Sequence, residues 1–452
     1  MTNKKVLVIS YFFPPIGGSG VQRILKYVKY LPEYGWDPVV LTVKPITYSV
    51  YDSTLLETIS DSTKIVRTES LDPLRLTKRL TKARAKNVSD GGLQGTENSQ
   101  ISHDNNLLKV YRSLRTMFAF PDVQLGWLPF ALQSGINQVK AEGIDVIIAR
   151  IPPYSNGILA NLISQRTGVP YILDFADAWL DDPYLKIPTP LHKWGHSILE
   201  RRVVSNAQAV VTCSDTIQQN FLRRYSSLEN KTHVLYNGFD PDDYSYEKKE
   251  RSPHAKKKIV YMGSLYVHHE PNFLTLLEAL KSIPDDLRNS LEVTFVGQFF
   301  DKAIALSCEA GLEDIINFTG YIPHSQAAEF LSNADASLLF VKPGDKESLT
   351  GKVFEYLTTT TPLIALIEPD GELGELLNKV ERGRWIVSPT DSKELVKVLE
   401  VLAQQGWPEE ISSNLNLFDR KLNTGRLANI LRCLTSDVEN THDVGIPAMN
   451  AQ

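Results

Sequence analysis

Three charged side chains in the second half of the chain have types and spacing suited to a phosphorylated sugar ligand. Glu347 and Glu355 are separated by seven residues, and Lys352 lies between them. The apolar run Ala336-Ser337-Leu338-Leu339-Phe340-Val341 reads as a buried parallel strand, and Pro343-Gly344-Asp345 ends it before a helical pattern begins near Thr350. The loop therefore leaves the carboxyl end of a strand and enters a helix. Ligands sit at that edge of an open α/β sheet, and free N–H groups at the helix start favour an anion such as pyrophosphate. Lys352 adds a point charge, Glu355 one turn further along the same face can accept from a ribose diol, and Glu347 in the loop reaches sugar hydroxyls. A plainer reading makes Lys352 and Glu355 a solvated pair worth about 0.2–0.5 kcal/mol, beside a buried stripe of Leu349, Val353, Tyr356 and Leu357.

The first half offers loops of the same kind. Tyr11-Phe12-Phe13-Pro14-Pro15-Ile16-Gly17-Gly18-Ser19-Gly20 follows the first strand and precedes the helical run 21–31, so backbone can approach a ligand at a helix start. Gly18 and Gly20 give GxG without the third glycine, and no Gly-Lys-Ser/Thr follows, which excludes both usual nucleotide fingerprints. Arg150-Ile151-Pro152-Pro153-Tyr154-Ser155 and Ile172-Leu173-Asp174-Phe175-Ala176-Asp177-Ala178-Trp179 each end a strand, placing two carboxylates at a carboxyl edge. Asp177 can receive a proton from an acceptor hydroxyl; Asp174 reads equally as a strand-end cap.

The spacing Glu347-x7-Glu355, the run Gly351-Lys352-Val353-Phe354-Glu355-Tyr356-Leu357 and the strand Pro362-Leu363-Ile364-Ala365-Leu366 resemble the donor-site signature of family 4 (group 1) retaining glycosyltransferases. Pro-Pro-x-Gly-Gly after the first strand, Arg23 and Leu31-x-x-x-Gly35-Trp36 resemble that family's first loop. Pro121-Asp122, Gly126-Trp127 and the loops at Arg150 and Asp174 resemble a branch whose loop runs Asp-Phe-Arg-Asp-x-Trp, with Ala176 here in place of Arg. The resemblance implies the GT-B fold: α/β, two doubly wound Rossmann-like domains facing across a cleft. It further implies Lys352 on the donor diphosphate, Glu355 on the ribose, and Gly17, Gly18, Gly263, Ser264, His269 and Tyr321 on the donor side. Arg23, Asp174 and Tyr154 fall on the acceptor side, and Asp177, Lys352 and Glu347 are the catalytic set. The family often carries Arg or Lys after the first strand of its second domain. Here His268 or His269 stands in, and a neutral imidazole predicts a weaker or pH-dependent phosphate site. Retention in the family relies on same-face attack, so the protein supplies positioning and charge stabilisation.

The elements that must position these residues alternate along the chain. Strands are expected at 5–10, 39–43, 146–149, 171–173 and 209–212, then at 258–262, 293–297, 315–319, 337–341, 363–366 and 385–387. Alternation with helical patterns implies two doubly wound domains. The expected division is an acceptor-side domain over 1–238 with a mobile insertion at 87–106, a hinge at 239–258, a nucleotide-sugar domain over 259–420, and a crossover helix with a tail over 421–452. At 452 residues, 42% apolar and 22% charged, the chain has material for two cores. A formal charge of −5 gives no general reason to expect nucleic-acid binding. Cys213, Cys308 and Cys433 are scattered, which suits a reducing compartment and no structural metal. Residues 5–10 are too short for a signal core, and no apolar stretch approaches a membrane span, so a cytoplasmic protein is expected.

Two metal-like patterns are set aside. Asp240-Pro241-Asp242 reads as a turn, and His192, His196 and Glu200 as a solvated helix face, so no metal and no cofactor is expected. Arg75, Lys78, Arg79, Lys82, Arg84 and Lys86 form a cationic run without an acid, either a solvated face or a dock for an anionic membrane. The expected function is transfer of a sugar from a nucleoside-diphosphate sugar to a glycan or lipid-linked acceptor, at or near the inner membrane face. The rivals are a UDP-sugar 2-epimerase and an inactive GT-B binding protein.

Overall fold

The computed structural model describes residues 3–46, 48, 51–71, 120–182, 185, 187–243, 255–322 and 324–435. The cationic run 75–86, the insertion 87–106 and the tail after Thr435 lie outside the described residues. The chain divides into two compact units, Met1–Leu235 with Thr424–Gln452, and Tyr236–Asn423. The division thus precedes the expected hinge at 239–258. Phe239 and Asp240 are buried within the second unit, where the Phe239 N–H donates to Phe418 O at 3.0 Å and Phe239 O accepts from the Arg420 N–H at 3.0 Å.

In the first unit, β1 (Lys4–Ile9), β2 (Trp36–Val43), β3 (Lys64–Thr68), β4 (Val146–Ile151), β5 (Tyr171–Phe175), β6 (Ala209–Thr212) and β7 (Thr232–Val234) make one parallel sheet. Its order is β3-β2-β1-β4-β5-β6-β7. The connecting helices include α1 (Ser19–Tyr30), α2 (Leu128–Glu142), α3 (Tyr154–Thr167), α4 (Pro190–Asn206) and α5 (Asp215–Arg224). The apolar runs of β1, β4 and β5 are buried on both faces, as a parallel sheet layered with helices demands. Strands β4 and β5 extend past the expected ends at 149 and 173. Arg150 and Asp174 are cross-strand partners in register, so each neutralises the other and the strands continue.

In the second unit, β8 (Lys257–Met262), β9 (Leu291–Val296), β10 (Ile316–Gly320), β11 (Ala336–Phe340), β12 (Leu363–Leu366) and β13 (Ile386–Val387) are ordered β10-β9-β8-β11-β12-β13, again all parallel. Helices α6 (Glu270–Ser282), α7 (Asp285–Asn289), α8 (Ala303–Glu309), α9 (His324–Ser332), α10 (Lys352–Tyr356), α11 (Glu372–Lys379) and α12 (Ser392–Gln404) lie between or after the strands. In α13 (Arg420–Thr435), residues from Thr424 onward belong to the first unit, burying Leu427, Ala428 and Leu431 in its core.

Each sheet reverses its order beside its first strand, between β1 and β4 and between β8 and β11. Loops leaving those neighbouring strands diverge to opposite faces, which opens a crevice at their carboxyl ends. The helix expected from Thr350 is only the five-residue α10. Thr358-Thr359-Thr360-Thr361-Pro362 stops it. The Thr358 and Thr359 hydroxyls donate back to Glu355 O and Tyr356 O at 2.7 and 2.9 Å, and proline disfavours helix in the residue before it. So short a helix has little dipole to offer an anion, and positive charge at this crevice comes from Lys352 itself.

Candidate functional site

At the second unit's crevice, the β8 end and α10 converge. Tyr356 accepts from the Met262 N–H at 2.7 Å and donates to Met262 O at 3.2 Å, continuing the hydrogen bonding of β8 where the strand stops. Beyond it Gly263 turns with φ 108°, a conformation that side chains rarely adopt. The missing Cβ also makes room: a Cβ there would lie 2.5 Å from Lys352 Cε. Gly297 lies behind it, and its own Cβ would fall 2.8 Å from the Gly263 carbonyl. Lys352 therefore runs across a glycine floor. Its Nζ donates to Tyr261 Oη at 2.5 Å and Ser264 O at 2.9 Å and sits 4.3 Å from the Tyr261 ring centroid. Burial pushes the Lys352 ammonium down to about 7, with the Glu355 carboxylate opposing only in part.

Of the two imidazoles expected in place of a family cation, His269 has its protonation state set by its surroundings. His269 is buried, and its Nδ1 accepts from the Tyr266 N–H at 3.3 Å. Burial, Lys352 and His268 push it down to about 3, so His269 is neutral throughout the physiological range. Lys352, pushed down to about 7, titrates near neutrality at this crevice. The Glu347 loop is organised by Asp345, which accepts from the Ser348 N–H at 3.0 Å, the Glu347 N–H at 3.3 Å and the Ser348 hydroxyl at 2.7 Å, leaving Glu347 exposed. Asn272 ties the β11 and β12 ends together by donating to Val341 O at 2.9 Å and Leu366 O at 3.2 Å. Tyr321, just after β10, is exposed. Sequence reasoning missed Tyr261, Tyr356, Asp345 and Asn272 as supports. An aromatic at a strand's carboxyl end and an Asp three residues before a Ser were the available signals.

In the first unit, Gly17 is buried and Gly18 exposed in the β1–α1 loop, with Gly18 at φ 95° capping α1. Thr42 and Arg67 donate to Tyr11 O and Pro14 O and fix the loop from the neighbouring strands. Arg23 and Asp174, expected on the acceptor side, lie beneath the surface, 5% and 0% exposed. Arg23 clasps Asp174 through Nη2 at 2.8 Å and Nε at 3.1 Å and donates to Leu235 O, while Arg150 donates to the other carboxylate oxygen at 2.6 Å. Both are occupied by each other, because an unpaired charge at that depth would be costly. Burial alone would raise the Asp174 carboxyl, but Arg23 and Arg150 outweigh it and hold it below the ordinary range.

Asp177, three residues after Asp174, is exposed. Desolvation raises its carboxyl, Arg150 opposes, and the Asp182 charge adds to the rise. Its loop is held on all sides. Cys213 Sγ donates to Ala176 O at 2.8 Å, Trp179 Nε1 donates to His196 Nδ1 at 3.0 Å, and Leu180 N donates to Glu200 Oε2 at 2.9 Å. Tyr154, another expected acceptor contact, is buried; it stacks on Trp179 with ring centroids 4.5 Å apart and donates to Asp182 at 2.9 Å. The expected solvated face of α4 is therefore corrected in part. His196 and Glu200 are buried and hydrogen-bonded, because they clamp this loop. Asp240 and Asp242 form the expected turn, the Asp242 N–H donating to Asp240 Oδ1 at 3.1 Å. Among the described residues no helix is long and apolar enough to cross a membrane.

These two units are similar to known proteins. A glycosyl transferase 4-like domain model matches residues 20–238, and a glycosyl transferases group 1 model matches residues 242–415. An uncharacterised glycosyltransferase of Methanocaldococcus jannaschii is 21% identical over 215 residues, 45% of this chain. The match spans about half of that relative, 53% of its length. Among solved structures, sucrose-phosphate synthase from Thermosynechococcus elongatus superposes with a TM-score of 0.58 at 15% identity, covering 96% of this chain and 95% of that one. HepE of Anabaena in complex with UDP gives 0.54 at 15% identity, covering 96% and 97%. With a glycosyl transferase 4-like first unit, a group 1 second unit and a parallel sheet in each, the chain belongs to the group 1 glycosyltransferase family and has the GT-B fold.

Proposed function

We propose that the chain is a retaining glycosyltransferase that takes a nucleoside-diphosphate sugar on its second unit and a glycan or lipid-linked acceptor on its first. One observation carries the reading: Lys352 crosses the Cβ-free face of Gly263 at the sheet's switch point, with Glu355 three residues further along the same short helix. The ammonium meets the diphosphate, Glu355 the ribose, and Glu347 the sugar hydroxyls. Lys352 is the cation on which this reading relies, since His269 is neutral. On the acceptor side Asp177 takes the proton, and Asp174 supports it from below through Arg150. Little covalent chemistry falls to the protein; orientation and charge do the work. A cytoplasmic setting in polysaccharide or glycoconjugate biosynthesis suits such donors.

A thermal-shift screen of UDP-, GDP-, ADP- and dTDP-sugars tests the donor. A match at 100 times its dissociation constant stabilises by about 2.7 kcal/mol, and no shift with any of them refutes the reading. Product formed without acceptor would instead indicate an epimerase.

The reaction is proposed to need no metal, and transfer is expected to continue undiminished in EDTA. Abolition by chelation with rescue by manganese would overturn this. Donor binding should also take up a proton. Lys352 in the free protein is largely neutral above pH about 7, and a bound diphosphate favours its charged form. Calorimetry in buffers of different ionisation enthalpy should show uptake near pH 8 that vanishes near pH 6, with affinity falling as pH rises. Equal proton exchange at both would place the diphosphate away from Lys352.

A further inference from the structure

Helix α4 has two unlike faces. Inward, His196 and Glu200 hold the loop that carries Asp177. Outward, Leu191, Trp194 and Ile198 follow i, i+3, i+7 spacing and lie on one stripe, exposed to 70%, 63% and 45%. Arg201 and Arg202 are exposed on the same helix and flank that stripe. The helix has one acid, Glu200, and it is fully buried. The outer face therefore combines apolar side chains with positive charge only. That is the make-up of a helix lying in a membrane interface, where an indole prefers the headgroup level and basic side chains meet anionic headgroups.

We infer that the outer face of α4 docks on an anionic lipid bilayer, with Leu191, Trp194 and Ile198 entering the headgroup–acyl boundary and Arg201 and Arg202 over the headgroups. Charge selects lipid over a second copy of the chain. A two-fold contact would set these cations against their own kind, whereas anionic headgroups complement them. The inference deepens the acceptor reading above, because the docked helix also clamps the Asp177 loop and would bring a lipid-linked acceptor to it. Its test reads lipid binding alone and so fails independently of that reading.

The experiment is cosedimentation of the full chain with vesicles of phosphatidylglycerol and phosphatidylcholine, and with phosphatidylcholine vesicles alone. The parent should pellet with the anionic vesicles, and less as salt rises. Leu191→Ser/Trp194→Ser/Ile198→Ser should lower the partition coefficient at least tenfold. Arg201→Gln/Arg202→Gln should lower it more than tenfold, since each cation near such a surface contributes about fivefold. Both variants should keep the parent's circular dichroism and its thermal shift with nucleotide-sugar. The parent should also show a vesicle-induced blue shift of tryptophan emission that Trp194→Phe removes. A parent that stays in the supernatant, or variants that pellet equally, would overturn the inference. So would retention of binding by the α4 variants together with its loss on replacing Lys78, Arg79, Lys82 and Arg84 by Gln. A vesicle-free dimer that Trp194→Ser splits would give the face to a second copy and overturn it too.

Discussion

Lys352→Ala is expected to lower kcat/KM for the nucleotide-sugar donor about 10- to 150-fold, the equivalent of about 1.5–3 kcal/mol for one lost charge-assisted contact. Glu355→Ala should fall in the same range through the ribose. Neither change should disturb the fold. Lys352 is half-buried and the floor beneath it is glycine, so its removal leaves the core packing intact. Gly263→Ala supplies a check that leaves both functional groups in place. Its Cβ would stand 2.5 Å from Lys352 Cε in a backbone conformation of φ 108°, so it should displace the lysine and lose activity to a similar degree. Steady-state kinetics with varied donor, alongside thermal melts, decide the matter. Wild-type turnover in both Lys352→Ala and Glu355→Ala would remove the donor assignment.

Asp174→Ala is expected to cost about 3–5 kcal/mol of stability, because it leaves Arg23 and Arg150 buried at 5% exposure each without their shared counter-ion. The urea midpoint of the first unit should fall by the corresponding amount. The sign of the pH dependence follows from the lowered carboxyl: its stabilisation is fully present above the unfolded pKa and is lost as pH falls through the lower folded value. Nucleotide-sugar affinity in the second unit should survive at temperatures where the variant remains folded. A variant with the parent's urea midpoint but no transfer would return Asp174 to the acceptor.

The two sheets were legible in the sequence because most of their strands are buried and so read as continuous Val, Ile and Leu runs. Two strands were not. In β3, Lys64-Ile65-Val66-Arg67-Thr68 mixes charge with apolar residues at the sheet edge, and β7 has only three residues, too few for a period to register. The Arg150–Asp174 pair was misplaced for a related reason. A charge in a hydrophobic run looks like the end of a strand, and only the cross-strand register shows two opposite charges facing one another. At the proposed donor site, local spacing exposed Lys352 and Glu355, which are three residues apart. Their supports Tyr261, Gly263 and Gly297 come from other strands, and no one-dimensional pattern relates them. The buried roles of His196 and Glu200 were hidden likewise. Their i, i+4 spacing places both on one helix face but does not say which way that face turns.

The glycine floor limits how this protein can evolve. A side chain at position 297 would press on the backbone of Gly263, and one at position 263 would press on Lys352, so a change at either glycine reaches the ammonium through direct contact. Single-step drift at these positions is closed off, and related chains that still use such a lysine should keep both glycines or alter the three positions in concert. A lineage that lost the lysine would be released from the constraint, and its glycines would be free to accumulate side chains as a record of abandoned donor binding.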